Sequence, residues 1–240
     1  MTPIYDIIAV DYGHGGVIDD VYQTEGSKEY TFTDEDPPKR VLEGVLNRRT
    51  ACKLIQMLLG AGFKVYDVVA GSFVETFPVT WKDLHQEDVP LQVRTDRVNK
   101  LRSFCLLSVH TNAIGNNIQG KSQNARGISV FTSKGQTRAD VIATSIYQGL
   151  EKSLKMVSDP DFRLTIRKGN WEDGDQDHEA NFHILRETIN GPAVLVEGGF
   201  FTSREDVRVL ESLEGSLSLA RGYFLGLREH LRQNSVDPAT

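Results

Sequence analysis

Short apolar runs alternate with longer segments of helical periodicity along most of this chain, and this alternation restricts the possible folds more than any other feature. The apolar runs have the length of buried strands and lie at residues 7–10, 63–69, 104–109, 128–131 and 193–196. The helical patterns cover residues 42–59, about 137–156 and about 204–231. Because alternating strands and helices build parallel sheets covered on both sides, we expect an α/β fold. Its sheet would be twisted and mostly parallel, with helices on both faces.

Three segments interrupt the alternation and are expected to be loops. Residues 19–39, 70–90 and 167–179 are rich in charged residues, prolines or glycines. No repeat or linker divides the chain, and 240 residues suit one large α/β domain. The sequence therefore predicts a single domain over residues 1–233 and a frayed tail over residues 234–240.

The charge of the chain argues against several classes of partner. The 27 basic and 33 acidic side chains leave a formal net charge of −6, which offers no attraction for nucleic acids or anionic membranes. The first apolar run is too short for a signal peptide or a membrane span, and no basic region precedes it. We therefore expect synthesis in the cytoplasm without a signal peptide, no nucleic-acid partner and no membrane insertion. The two cysteines, Cys52 and Cys105, are too few for a disulfide framework.

Three of the predicted strands lead directly into polar, titratable residues. The first precedes a Gly-His-Gly-Gly motif that contains His14, the third is followed by His110, and the last by Glu197. In a parallel sheet the carboxyl ends of the strands meet at one edge, where open α/β sheets bind their ligands. Titratable groups next to a core are costly unless they have partners. The sequence therefore predicts a functional site at this edge.

Two histidines and one carboxylate are a common protein ligand set for catalytic zinc. His14 and His110 would supply the imidazoles, and the glycines beside His14 would let the backbone turn so that its ring enters the site. Two carboxylates compete for the third position: Glu43, at the start of a predicted helix, and Glu197. One would bind zinc, and the other would be the general base that deprotonates water. Their spacing does not distinguish these roles.

The order of these motifs resembles that of the zinc-dependent N-acetylmuramoyl-L-alanine amidases of the type 3 amidase fold. The resemblance extends over most of the chain and is carried by residues 13–16, 43–47, 94–99, 108–113, 185–186 and 192–200. In one departure, Ser203 stands where the family usually has asparagine, and a serine can replace some of the loop-capping hydrogen bonds of that residue.

The resemblance implies both a reaction and a set of residue roles. His14, Glu43 and His110 would bind one zinc ion, and Glu197 would be the catalytic carboxylate. The substrate would be peptidoglycan, cut at the amide bond between N-acetylmuramic acid and L-alanine. Residues 1–233 would then be the amidase catalytic domain, and the site would lie at the carboxyl ends of the strands.

Three further residues are candidates for binding substrate or supporting the ligands: Asn112, Arg94 and Trp171. Trp171 belongs to the predicted loop 167–179, shortly before the strand that leads into Glu197, and such loops often carry binding residues. Surface or packing roles are expected for the remaining histidines, which are His85, His178, His183 and His230.

The resemblance leaves the biological role open between several alternatives. A phage endolysin that reaches the cell wall or periplasm after release by a holin is the first. A bacterial wall-remodelling amidase is the second, and a non-catalytic peptidoglycan-binding or regulatory protein with a relict zinc site is a third. A zinc carboxypeptidase or another amidohydrolase would differ in its products. No protein partner is predicted.

Overall fold

The computed structural model describes residues 7–24, 26–169 and 174–235. The strands of this part are β1 (Ile7–Tyr12), β2 (Val17–Ile18), β3 (Val21–Tyr22), β4 (Glu29–Phe32), β5 (Lys39–Leu42), β6 (Lys64–Asp67), β7 (Ser72–Phe73), β8 (Cys105–Asn112), β9 (Gln119–Gly120), β10 (Ser129–Thr132), β11 (His178–Glu179) and β12 (Ala193–Phe200). The α-helices are α1 (Glu43–Gly60), α2 (Leu91–Asn99), α3 (Arg138–Lys155), α4 (His183–Arg186), α5 (Arg204–Glu211) and α6 (Leu213–Ser235). Within the described residues, no helix is long and apolar enough to cross a bilayer.

The central sheet confirms the expected α/β architecture. In the described part of the chain it has seven strands in the order β11-β10-β12-β8-β1-β6-β7. Strand β1 pairs in parallel with β6 and β8, β8 pairs in parallel with β12, and β10 with β11. Strands β10 and β7 run antiparallel to their neighbours β12 and β6. The strand predicted at residues 128–131 therefore points its carboxyl end away from the edge at which β1, β8 and β12 end.

Side chains of the central strands alternate between two apolar cores, as the pleat of a strand requires. Ile8 and Leu107 belong to the larger core, which also contains buried residues of α1, α3 and α6. Ala9 and Leu106 face the other side, where they pack with residues of α2 and α4. Helices therefore cover both faces of the sheet, and the strands that end at the predicted site are rigidly held.

The helix predicted at about residues 204–231 is in fact two helices, and that prediction was wrong. Ser212 lies between α5 and α6 in an extended conformation, with φ −73° and ψ 153°. Its hydroxyl accepts a hydrogen bond from the amide of Gly215 at 2.9 Å, as a helix N-cap does. A Cβ at position 215 would lie 2.0 Å from the carbonyl oxygen of Val209, so the close contact between the two helices needs glycine.

The segments predicted as loops contain more regular structure than expected. Residues 19–39 include β3, β4 and the start of β5, and β4 pairs antiparallel with β5 and parallel with β9. Tyr30 and Phe32 are buried, whereas the residues between and beside them are more exposed. Strand β4 therefore has the alternating burial of a strand, which was hard to recognise in the sequence among its charged neighbours. Residues 70–90 contain β7 and a short 3-10 helix, and β11 ends the segment 167–179. The predicted domain limits stay a prediction, because residues 236–240 lie outside the described part.

Candidate active site and metal centre

The three strand ends that the sequence singled out lie side by side in the structure. Strand β8 lies between β1 and β12. Glu197 is in register with His110 across the β8–β12 pair, and His14 follows β1 by two residues. The predicted edge of the sheet therefore brings His14, His110 and Glu197 together.

The backbone around His14 is unusual, but not in the way that the glycine-rich motif suggested. His14 itself has the left-handed conformation, with φ 68°, whereas Gly13, Gly15 and Gly16 have no positive φ. The interpretation that these glycines supply the sharp turn was therefore wrong. They are needed for space: a Cβ at position 13 would lie 1.9 Å from Cε1 of His110. The motif lets the chain pass directly beside the second histidine.

Arg48 fixes the unusual conformation of this loop, and no feature of the sequence indicated that role. Its side chain is fully buried in α1. Nη1 donates to the carbonyl oxygens of His14 at 2.8 Å and Gly44 at 3.0 Å, and Nε donates to that of His85 at 2.9 Å. Burial lowers the pKa of the guanidinium to about 10. A left-handed histidine is strained, and these hydrogen bonds hold it in place.

Glu43 stands between the two histidines. Its Oε1 lies 3.1 Å from Nδ1 of His110 and 3.3 Å from Nε2 of His14. Donor atoms of the three side chains all lie within 4.8 Å of one another. Nε2 of His14 and Oε2 of Glu43 are buried and have no hydrogen-bond partner among the described residues. Two imidazole nitrogens and one carboxylate, with unsatisfied polar atoms between them, fit a catalytic zinc ion.

The protonation of these groups is compatible with metal binding. Burial lowers the pKa of His14 more than the charge of Glu43 raises it, which favours the neutral imidazole. Although burial alone would raise the pKa of Glu43, His14 and His110 lower it and keep the carboxylate ionised. Burial alone would lower the pKa of His110, but the hydrogen bond to Glu43 and nearby carboxylates raise it.

A buried carboxylate faces the other nitrogen of His110. Oδ2 of Asp11 lies 4.0 Å from Nε2 of that ring and accepts a hydrogen bond from the hydroxyl of Ser108 at 2.5 Å. Arg94 donates from Nη1 to Oδ1 of Asp11 at 2.8 Å. Burial would raise the pKa of Asp11, but Arg94 and His110 lower it. At 4.0 Å the carboxylate is too far from Nε2 for a direct hydrogen bond, so it acts on the ring of His110 as a nearby negative charge.

Arg94 extends this network back to the loop of His14. Its side chain is only 1% exposed, and its Nη2 donates to Oδ1 of Asp88 at 2.9 Å. The other oxygen of Asp88 accepts from the hydroxyl of Thr24 at 2.7 Å, and this hydroxyl accepts from the amide of Gly15 at 2.5 Å. Of the two roles expected for Arg94, these contacts favour support of the ligands over orientation of substrate.

Glu197 lies in the same cleft but outside the group of three donors. Its Oε2 is buried and has no hydrogen-bond partner among the described residues. Burial raises its pKa to about 7; the charge of Glu43 adds to this effect, and His110 opposes it. A carboxyl group with a pKa near neutrality can both accept and return a proton. Glu43 contacts both histidines, whereas Glu197 lies outside the group of three donors, so the two carboxylates differ in position.

The cleft beside these residues is large enough for part of a polymer. Its volume is about 760 Å³, within the range of ligand pockets, about 300–1,000 Å³. It is lined by His14, His110 and Glu197 and by apolar residues that include Leu91 and Phe182. His183, for which a surface or packing role was expected, also lines the cleft.

Lys28 is a cleft residue that the sequence analysis missed. Its Nζ lies 3.5 Å from Oε2 of Glu43, and its carbonyl oxygen accepts a hydrogen bond from the amide of Glu43 at 3.0 Å. The pairing of β4 with β5 carries it to this position. Nothing in the sequence distinguished this lysine from the other charged residues of a predicted loop.

The remaining candidates are placed differently. The side chain of Asn112 accepts a hydrogen bond from the amide of Ala113 at 2.8 Å and is absent from the described lining of the cleft, so its contacts are those of a residue that shapes the end of β8. Trp171 lies outside the described residues. Ser203 is the N-cap of α5, and its hydroxyl accepts from the amide of Asp206, as expected for a serine in this position.

The sequence of the chain matches a known family. The family model described as N-acetylmuramoyl-L-alanine amidase (Amidase_3) matches residues 8–229. This chain belongs to that amidase family. The match runs from β1 into α6 and includes all four residues of the candidate site. A comparison with curated proteins found no match.

Solved amidase structures share the fold. An N-acetylmuramoyl-L-alanine amidase from Clostridium difficile 630 is 23% identical, with a TM-score of 0.65 over 96% of this chain and 98% of its own. AmiC2 of Nostoc punctiforme is 18% identical, with a TM-score of 0.65 over 94% and 97%. The catalytic domain of CD27L, an endolysin targeting Clostridia difficile, is 17% identical, with a TM-score of 0.56 over 93% and 97%. At these identities the likeness shows a common fold.

Proposed function

We propose that this chain is a zinc-dependent N-acetylmuramoyl-L-alanine amidase, which hydrolyses the amide bond between N-acetylmuramic acid and L-alanine in peptidoglycan. The observation that carries the proposal is the grouping of His14, Glu43 and His110 at a cleft that His14, His110 and Glu197 line, in a member of the amidase family. The first three residues would hold the zinc ion. Zinc in such a site polarises the scissile carbonyl and lowers the pKa of water.

Glu197 supplies the proton transfers of the reaction. Its carboxylate takes a proton from the attacking water while the oxygen of that water bonds to the amide carbon. The carbon–nitrogen bond then breaks, and Glu197 returns the proton to the departing nitrogen of alanine. A pKa raised to about 7 by burial makes the group a stronger base than an exposed glutamate and a competent acid at neutral pH.

Asp11 and Arg94 keep the site in the geometry that the reaction needs. Asp11 faces the ring of His110, and Arg94 connects Asp11 to the segment beside His14. Neither side chain is free to move, because both are buried and hydrogen-bonded. Rigid support of this kind places catalytic groups before the substrate arrives.

For the biological role, we propose lysis of a bacterial host as a phage endolysin. Its support is the structural likeness to the catalytic domain of CD27L, and the likeness to bacterial AmiC2 supports wall remodelling as the alternative. Expression in a bacterial host with and without a holin separates the two. Lysis that depends on both the holin and an intact Glu197 supports the endolysin role, and growth without lysis contradicts it.

The amidase proposal is tested by metal removal and return. The chain is stripped with a chelator, and release of stem peptides from purified peptidoglycan is measured before and after one equivalent of zinc. We expect no release from the stripped protein and recovery with zinc. Full activity without metal would contradict a zinc mechanism. A protein that binds no zinc and releases nothing would instead match the non-catalytic alternative.

A further inference from the structure

A second group of possible metal ligands, made of three acidic side chains, lies outside the histidine site. Carboxylate oxygens of Asp140, Asp175 and Asp177 all lie within 4.8 Å of one another. Asp140 is in the first turn of α3, and Asp177 directly precedes β11. Its Oδ2 accepts a hydrogen bond from the hydroxyl of Thr132 at 2.5 Å. Strand β10 pairs its first residue, Ser129, with Glu197. Thr132 is at the other end of β10, so the acidic cluster lies towards the edge of the sheet opposite to Glu197.

Two of the three side chains are buried, Asp175 is partly exposed, and the cluster lacks a counter-charge among the described residues. Asp177 is 4% exposed and Asp140 8%. Oδ1 of Asp177 and Oδ1 of Asp175 are buried without a hydrogen-bond partner. No lysine, arginine or histidine of the described chain forms an ion pair with any of the three. Buried carboxylates without such a partner are strongly destabilising, so the orphaned oxygens of Asp177 and Asp175 indicate a missing ligand.

The donor set indicates which ligand this is. All three residues offer carboxylate oxygens, which suit hard cations, whereas zinc prefers nitrogen and sulfur donors. The three oxygens lie no more than 4.8 Å from one another, so an ion at their centre would be at most about 2.8 Å from each. Small movements of the side chains would shorten this to the usual calcium–oxygen distance of about 2.3–2.6 Å. Magnesium retains several waters and is rarely held by a cage of protein carboxylates. Ca²⁺ therefore fits this cluster better than either alternative.

We propose that Asp140, Asp175 and Asp177 form a Ca²⁺ site that is separate from the histidine site. The ion would neutralise the buried carboxylates and connect the segment before β11 to the first turn of α3. Thr137 already orients Asp140, since its amide and hydroxyl both donate to that carboxylate. The site therefore fastens the edge strand β11 to the body of the domain, and it does not depend on the proposed amidase function.

The test is calorimetric titration of the zinc-loaded protein with CaCl₂, together with the thermal unfolding midpoint at each calcium concentration. We expect saturable binding of one Ca²⁺ per chain and a midpoint that rises with calcium, because a ligand of the native state stabilises it. Asp177→Asn keeps the size of the side chain and an acceptor for Thr132 but removes the charge, so its calcium affinity should fall at least about tenfold. Asp161→Asn, at an exposed aspartate elsewhere, should bind as the unaltered protein does.

Two further variants keep the outcome decisive. If Asp177→Asn does not fold, Asp175→Asn alters a less buried member of the cluster and should show the same loss. His14→Ala should retain calcium binding, because that residue belongs to the other site. The proposal is overturned if the unaltered protein shows no saturable binding, if both cluster variants bind calcium normally, or if His14→Ala loses it.

Discussion

Gly13 and His110 approach each other so closely that no other residue can replace the glycine without moving the ring. A Cβ at position 13 would lie 1.9 Å from Cε1 of His110 and 2.3 Å from its Nε2. We therefore expect Gly13→Ala to displace His110 and to weaken zinc binding by at least about tenfold, as loss of a ring-orienting partner does. Zinc affinity, measured by competition with a chelator, checks this.

A matched glycine substitution controls for the effect of the added methyl group. Gly60 ends α1, and a Cβ there would meet no atom within 4 Å. Gly60→Ala should leave zinc affinity unchanged. If Gly13→Ala bound zinc as tightly as Gly60→Ala does, the packing of the loop against His110 would have no part in holding the metal.

Removal of a metal ligand should have a larger effect than removal of its supports. We expect His14→Ala, Glu43→Ala and His110→Ala each to lose zinc affinity by more than about 100-fold, the upper end of effects seen for outer partners. His85→Ala is the control, since its ring lies beside Glu87 at the surface. Metal analysis after dialysis measures the occupancy. Full occupancy in any of the three ligand variants would remove that residue from the proposed site.

Asp11→Asn tests the network behind His110. The substitution leaves Arg94 buried with one carboxylate partner fewer, and it removes the charge that faces His110. We expect zinc affinity to fall about 10–100-fold and the unfolding midpoint to fall as well. Ser108→Ala, which removes only the hydroxyl bonded to Asp11, should have smaller effects on both. Equal effects of the two variants would show that the charge of Asp11 is unimportant.

The main elements of the site could be predicted because they follow from local patterns. Apolar runs followed at once by His14, His110 or Glu197 leave few alternatives to the ends of buried strands. The topology then brings those ends together, since parallel strands end at a common edge. The assignment of Glu43 as ligand and Glu197 as base came from family resemblance, and the contact of Glu43 with both histidines now supports it.

The contacts of the supporting residues could not be predicted because they join distant parts of the chain. Arg48 reaches a carbonyl 34 positions away and Arg94 a carboxylate 83 positions away. Arg48 is an ordinary charged residue of a predicted helix, and Arg94 was a candidate only through the family resemblance, which did not name its partners. Lys28 was hidden in a segment predicted as a loop, since the alternation of β4 is brief. The roles of these three residues follow from tertiary packing, which cannot be inferred from the local periodicity of the sequence.

The pH dependence of stability offers a test of the acidic cluster without calcium. Burial, together with Asp175 and Asp140, raises the pKa of Asp177 from the ordinary 3.8 to about 7. Between these values the native state holds a proton that the unfolded chain has lost. The proton on Asp177 therefore stabilises the native state. Its contribution to the free energy of unfolding is fully present below about pH 4 and is lost as the pH rises through about 7.

Asp177→Asn isolates this contribution, because asparagine does not titrate. Urea unfolding in calcium-free buffer between pH 4 and pH 8 gives the free energy for both proteins. As the pH rises, we expect the free energy of unfolding of the unaltered protein to fall relative to that of Asp177→Asn. A difference that is constant across this range would show that Asp177 has an ordinary pKa.

Glu197→Gln should separate catalysis from metal binding. Glutamine keeps the size of the side chain but cannot accept the proton of water, and positioned acid–base catalysis contributes about 10²–10⁴-fold. We expect a folded protein with full zinc occupancy and a rate reduced towards the upper end of that range. Loss of zinc from Glu197→Gln, with metal and activity retained in Glu43→Ala, would reverse the two roles.

Mass spectrometry of purified peptidoglycan after digestion tests the central claim most directly. Zinc-loaded protein is incubated with intact sacculi, with Glu197→Gln as the blank, and the soluble and insoluble products are identified. We expect free stem peptides that begin with a new L-alanine amino terminus, and glycan strands of unchanged length. New reducing sugar ends would instead show a glycosidase, and shortened stem peptides a peptidase; either result would contradict the proposed amidase.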